Sequence, residues 1–263
     1  MHRLVIASGK GGVGTSVIAS LTALSAAERE ERVLLVDATE SGGSLHHLFG
    51  VRATHSLWML ADPRSFPDDA LIAIDDNLTL VAGGTSGAAV APISDHERRA
   101  ALTRLAHLYE NFDVVVFDGG SRLDTISALS ELVDPSLLLV TSADRLALAA
   151  NYALVKSVRT RRADTAISVV ANRHGEALAT EACDFLVGAC SHFLNRTIDV
   201  VGAIPDDPCL EAAIGAGMTV RDALDGSPAA ETMRGILSRL IPVRSTAARP
   251  TAVATSPFSR RWS

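Results

Sequence analysis

Short apolar runs recur along the chain at residues 4–7, 33–36, 78–81, 114–117, 137–140, 167–170 and 199–204. Most are rich in β-branched residues or leucine and lack polar alternation, so they predict strands buried on both faces. Between them, residues 16–30, 95–109, 146–161 and 176–194 space their apolar positions at the helical period, and a last such segment, 229–240, ends before Pro242. Turn punctuation at Gly83-Gly84 and Gly119-Gly120 separates the units. Strands alternating with helices predict an α/β fold of three layers, a mostly parallel sheet with helices on both faces. No repeat or linker divides residues 1–242, which read as one domain. Beyond them the sequence turns to Ser, Pro, Thr and Ala, and 243–263 is expected to be a disordered tail.

Composition narrows the function classes. At 263 residues the chain can build one large core, and its 48% hydrophobic and 21% charged residues are globular proportions. Aromatics at 4% leave little surface for stacking bases, and a net charge of −6 opposes a phosphate backbone. Both argue against DNA as a partner. Arg159, Arg161 and Arg162 come nearest to a basic patch and read as a solvated helix end. Lys10 and Lys156 are the chain's lysines, which makes the position of Lys10 informative. Cys183, Cys190 and Cys209 form neither a metal pair nor an even secretory framework and are expected as free thiols. No apolar stretch reaches the ~20 residues of a membrane span, so a cytoplasmic protein is expected. Membrane contact would be at most peripheral, through Phe258, Arg260, Arg261 and Trp262 of the tail.

The chemistry concentrates in LVIASGKGGVGTS, a glycine-rich loop between a predicted strand and a predicted helix. Gly9 and Gly14 stand at the spacing of the P-loop pattern G-x-x-x-x-G-K-[ST]. Glycines let the backbone turn its N–H groups toward phosphate oxygens, and the following helix adds its positive end. Ser16 would offer a hydroxyl to Mg²⁺. Position 15, where the pattern has lysine, is Thr15.

GKGGVG, with its early lysine at Lys10, resembles the deviant phosphate loop of the MinD/ParA family of P-loop ATPases. The likeness continues through VLLVDATESGGSLHHLFG, FDVVVFDGG, LLLVTSADRLALAANYALVKSV, SVVANR and VGAIPDDPCLEAAIGAGMTV, in family order over about residues 3–240. It implies a P-loop NTPase fold that binds ATP and Mg²⁺ on Gly9, Gly11, Gly12, Val13, Gly14, Thr15 and Ser16. Lys10 would reach the partner's nucleotide in a nucleotide-dependent homodimer. Asp37 would serve catalysis, and Asp118 would hold Mg²⁺ through water. Asn172, Pro205 and Asp206 would surround the adenine. Residues 77–87 and the passage from 184 to 208 look most like the FlhG (FleN) flagellar-number branch. Such a protein would position a flagellum, pilus or division site through a protein partner of that machine.

Two departures divide this reading. Thr15 replaces the loop lysine, and Thr39 stands where the family's water-positioning aspartate aligns, with Glu40 beside it. A slow ATPase switch and a pseudo-ATPase scaffold both stay open. His46 and His47 read as solvated switch surface, since no third metal ligand lies nearby in sequence.

Overall fold

The structure, a computed structural model, describes residues 1–40, 43–86, 92–173 and 175–242. The expected tail and the last residue of the 77–87 stretch lie outside them. The strands are β1 His2–Ala7, β2 Val33–Asp37, β3 Leu71–Ala73, β4 Leu78–Val81, β5 Val114–Gly120, β6 Ser136–Thr141, β7 Ile167–Asn172 and β8 Asp199–Ile204. The helices are α1 Thr15–Ala27, α2 Leu45–Leu48, α3 Asp95–Leu105, α4 Leu123–Leu132, α5 Arg145–Arg161, α6 Glu176–Leu194, α7 Pro208–Gly215 and α8 Pro228–Leu240. Every expected strand and helix is present, and the α/β three-layer expectation holds.

The eight strands run in the order β3-β4-β2-β5-β1-β6-β7-β8. Every neighbouring pair is parallel except β3 with β4 at the edge. Because successive side chains on a strand point to opposite faces, each central strand serves two cores. Val5, Leu34 and Val36 pack under helices α3 to α6 through Leu102, Ile126, Val158 and Leu186. Leu4, Ile6, Val33 and Leu35 pack on the other face against Ile18 and Leu21 of α1 and Met233 and Leu237 of α8. The strands are therefore apolar on both sides, as their unbroken runs predict.

This order sets the site. β1 lies between β5 and β6, and β5 separates it from β2, so the carboxyl ends of β1, β2 and β5 come side by side. Asp37 pairs in register with Asp118, and Ile6 with the same Asp118. In open parallel sheets such a point, where the winding reverses, is the place for a ligand crevice.

Candidate nucleotide site

Between β1 and α1 the chain forms a tight loop whose geometry depends on glycine. Gly14 has φ +92°, and a Cβ there would lie 2.3 Å from Asn172 Nδ2. At Gly9 a Cβ would meet the backbone carbon of Ala150 in α5 at 2.2 Å. Gly9 N–H donates to Asn151 Oδ1 at 2.7 Å, and Asn151 Nδ2 donates to the Val140 carbonyl at 3.1 Å. The far side of the loop is held by Asn172, whose Nδ2 donates to the Val13 carbonyl at 2.8 Å. α1 begins with no side-chain cap and no acidic residue in its first turn. Its first N–H groups and positive dipole end thus remain available to an anion. A cleft of about 380 Å³ opens there, lined by this loop, residues 38–40, 43 and 44 after β2, and residues 119–122 at the end of β5 and just beyond it.

The two cationic positions of the loop differ from the common pattern. Thr15 is buried and donates its hydroxyl to Ser8 Oγ at 3.1 Å, while Ser8 donates to the Lys10 carbonyl at 2.7 Å. Lys10 Nζ lies 3.1 Å from Asp144 Oδ2, with both side chains about two-fifths exposed. Asp144 caps α5 through the N–H groups of Leu146 and Ala147. Bonds from Ser142, the Ala147 N–H and Lys10 hold its carboxyl well below the usual range.

Toward the carboxyl ends of β2 and β5, beside the cleft but behind the residues that line it, stand two buried aspartates with different surroundings. Asp37 is saturated: Oδ1 accepts from Thr39 N–H and hydroxyl at 3.0 and 2.5 Å, and Oδ2 from the N–H groups of Ser44 and Leu45 at 2.9 and 3.1 Å. It braces the segment after β2, so both oxygens are committed where a catalytic role was expected. Asp118 Oδ1 accepts from Gly120 N–H at 3.1 Å, but Oδ2 is buried with no hydrogen-bond partner among the described residues. Burial first, and the Asp37 charge second, push the Asp118 carboxyl up. The neighbouring Ser16 hydroxyl and the Gly120 N–H ease only part of this, the Ser16 contact falling short of a formed hydrogen bond. A buried anionic oxygen without a donor, beside a serine hydroxyl, suits a hydrated divalent cation. The residues fit Mg²⁺ held by Ser16 and, through water, by Asp118.

Thr39 donates its hydroxyl to Asp37 and packs its methyl toward Gly120, where a Cβ would approach it to 2.9 Å. Glu40 is tied elsewhere. Arg98 of α3 donates to its two oxygens at 2.7 and 3.3 Å, Thr125 of α4 donates to Oε1, and Arg122 stands 3.3 Å away. Arg98 and Glu40 form a buried pair, with side chains 4% and 6% exposed. A water-activating role for Glu40 would require this pair to break.

Beyond the loop a smaller cavity of about 40 Å³ brings together Asn172, Pro205 and Asp206 with Gly14, Val17 and Arg173. The three residues expected around adenine do converge. Asn172, however, spends its amide on Val13, so its geometry here is that of a loop brace. Arg173 pairs with Glu211 of α7 at 3.1 Å along the same cavity.

A model of the ParA family, described as NUBPL iron-transfer P-loop NTPase, matches residues 1–75. The antiactivator FleN of Pseudomonas aeruginosa is 23% identical over 243 residues, 90% of this chain and 85% of FleN. The septum site-determining protein MinD of Pyrococcus horikoshii, solved with Mg-ADP, superposes with a TM-score of 0.72 at 19% identity, over 92% of this chain and 96% of that one. The chain has the fold of the MinD/ParA P-loop NTPases. MinD of Aquifex aeolicus in complex with MinC aligns with a TM-score of 0.71 at 18% identity, over 95% of this chain and 99% of that one.

Against the MinD/ParA pattern, several residues that shape the site were not foreseen from sequence. Asn151 on α5 and Asp144 at its N-cap, Arg98 on α3, and Arg122 and Thr125 at the start of α4 all act on the loop or on the segment after β2. His46 corrects the expectation of a solvated surface: it is buried, and both its ring nitrogens lack partners among the described residues. Its ring lies tilted 38° against that of exposed His47, the centroids 3.9 Å apart, and burial pulls its pKa down. The arginine run is largely neutralised, Arg161 by Glu131 at 2.8 Å and Arg162 by Asp134 at 2.5 Å. Cys183 and Cys190 are buried and Cys209 is exposed, all as free thiols. Among the described residues no helix is long and apolar enough to cross a membrane.

Proposed function

We propose that this chain is a Mg-ATP-binding switch that positions or counts a polar structure, a flagellum, pilus or division site, and whose ATP turnover is slow. The observation that carries the reading is an uncapped α1 N-terminus lining the cleft together with the partnerless Asp118 oxygen buried beside it, next to lining residues Gly119 and Gly120. Such a cleft meets phosphate with backbone donors and a divalent cation with carboxylate and hydroxyl. Mg²⁺, when bound, would supply charge neutralisation at the transferred phosphate. FleN, an antiactivator, and the MinD proteins, named for septum-site determination, support the class of output. Lys10 lies half exposed at the rim, held by one solvent-screened contact, which supports its transfer to a partner subunit's nucleotide in a homodimer.

A second reading, a pseudo-ATPase scaffold working through protein contacts, draws on three observations. Thr15 turns inward, Thr39 is spent on Asp37, and Glu40 is locked by Arg98. Nucleotide titration and a turnover assay on wild type, Lys10→Ala and Thr15→Lys separate the two. The switch reading expects ATP binding and measurable turnover that Lys10→Ala removes. ATP binding without turnover supports the scaffold, and binding gained only in Thr15→Lys sinks the switch.

A further inference from the structure

The cleft expected to receive the phosphates is short of positive charge. Thr15 carries none, and Lys10 is drawn to Asp144 outside the lining. Among the described residues that line the cleft, Arg122 is the one cation and Glu40 the one carboxylate. Arg122 is the extended residue linking β5 to α4, at φ −85° and ψ 119°. Its neighbour Ser121 sits over the loop: a Cβ on Gly11 would lie 3.6 Å from Ser121 Oγ. Arg122 therefore springs from the stretch of chain that faces the loop glycines.

Its present contact is a weak hold. The side chain is 57% exposed and reaches only Glu40 among the described residues, at 3.3 Å. Glu40 is already served by two bonds from Arg98 and one from Thr125. A carboxylate already shared with Arg98 and Thr125 is a poorer partner for a guanidinium than a polyphosphate, which offers its forked donors unshared oxygen pairs and a larger charge.

We propose that Arg122 supplies the positive charge that Thr15 lacks, turning from Glu40 to the terminal phosphates of bound ATP. This rests on the nucleotide reading above. The loop amides would hold the inner phosphates, and Arg122 would add the contact that distinguishes a nucleotide with outer phosphates from one without.

The test is calorimetric titration of the full chain with ATP, ADP and AMP in Mg²⁺, for wild type, Arg122→Ala, Arg122→Lys and Thr15→Lys/Arg122→Ala. Losing one charge-assisted contact should weaken ATP about ten- to a hundredfold in Arg122→Ala. AMP should be unaffected and ADP intermediate. Arg122→Lys should recover part of the loss, and the added lysine at position 15 should restore ATP affinity in the double variant. Melting of the nucleotide-free Arg122→Ala protein should stay within a few degrees of wild type, since the side chain is mostly solvated. Equal ATP affinity in wild type and Arg122→Ala overturns the proposal, as does an equal loss for all three nucleotides. Wild type that binds no ATP defeats the nucleotide reading itself, and this inference with it.

Discussion

Glu40→Gln should cost far more stability than its place on a loop suggests. Its partner Arg98 is buried, and the pair makes two charged hydrogen bonds that tie the segment after β2 to α3. Removing one member of a buried pair typically costs 3–5 kcal/mol because the other charge stays behind. Arg98 keeps Asp95 at 3.1 Å, but that carboxylate is 67% exposed and compensates little. We expect a loss of about 3 kcal/mol, or roughly 6–12 °C in melting temperature for a domain of this size. The assay is urea unfolding of Glu40→Gln, Arg98→Met and the Glu40→Leu/Arg98→Met double variant, because urea leaves ionic strength unchanged. The double variant should lose less than the sum of the singles, since neither charge is then stranded. Acid should close the gap. Burial raises the Glu40 carboxyl, but bonds from Arg98 and Thr125 and the charges of Arg98 and Arg122 outweigh it and leave it lowered. A lowered folded-state pKa gives stability that is complete above the unfolded value of about 4.3 and lost as pH falls through the folded one. Wild type and Glu40→Gln should therefore converge below about pH 4. A Glu40→Gln loss under about 1 kcal/mol at pH 7, or strictly additive singles, would refute the reasoning.

Other outcomes follow from the same geometry. Lys10→Ala should leave melting nearly unchanged, because an ion pair this exposed is worth about 0–1 kcal/mol, and a larger drop would make Lys10 a structural residue. Asp118→Asn should stabilise the nucleotide-free protein at pH 8 by roughly 1–3 kcal/mol, since it removes a buried charge with an unpartnered oxygen. A raised folded-state pKa means that wild-type stability falls as pH rises through it; Asp118→Asn should abolish that fall along with any strengthening of nucleotide binding by Mg²⁺, and a drop in melting temperature would count against the assignment. Gly9→Ala drives a methyl into the backbone of Ala150 and should cost about 1–3 kcal/mol, whereas Gly11→Ala, with nothing nearer than 3.6 Å, should melt like wild type.

The unbroken apolar runs made the sheet legible because parallel strands are buried on both faces, and the phosphate loop was legible because its glycines have fixed spacing. Three helices escaped: α2 is a single turn of four residues, too short to show a period. α4 buries Thr125, Ser127 and Ser130 among its inward positions, which thins its apolar stripe, and α7 is short, with only Leu210 buried. β3, three residues at an edge, is too brief to show a period. The roles of Asp37 and Asn172 were inferred from resemblance, and their hydrogen bonds to Thr39, Ser44 and Leu45, and to Val13, depend on partners that only the folded chain brings near. The Arg98–Glu40 pair spans 58 residues, beyond the reach of any local pattern.

Gly9 lies against the backbone of α5, and Asn151 ties its N–H to that helix and the helix to β6. The phosphate loop is thereby ordered before any ligand arrives. A phosphate landing there would give up little of its binding free energy to freezing the loop, so affinity missing for want of a lysine is offset by entropy already lost on folding.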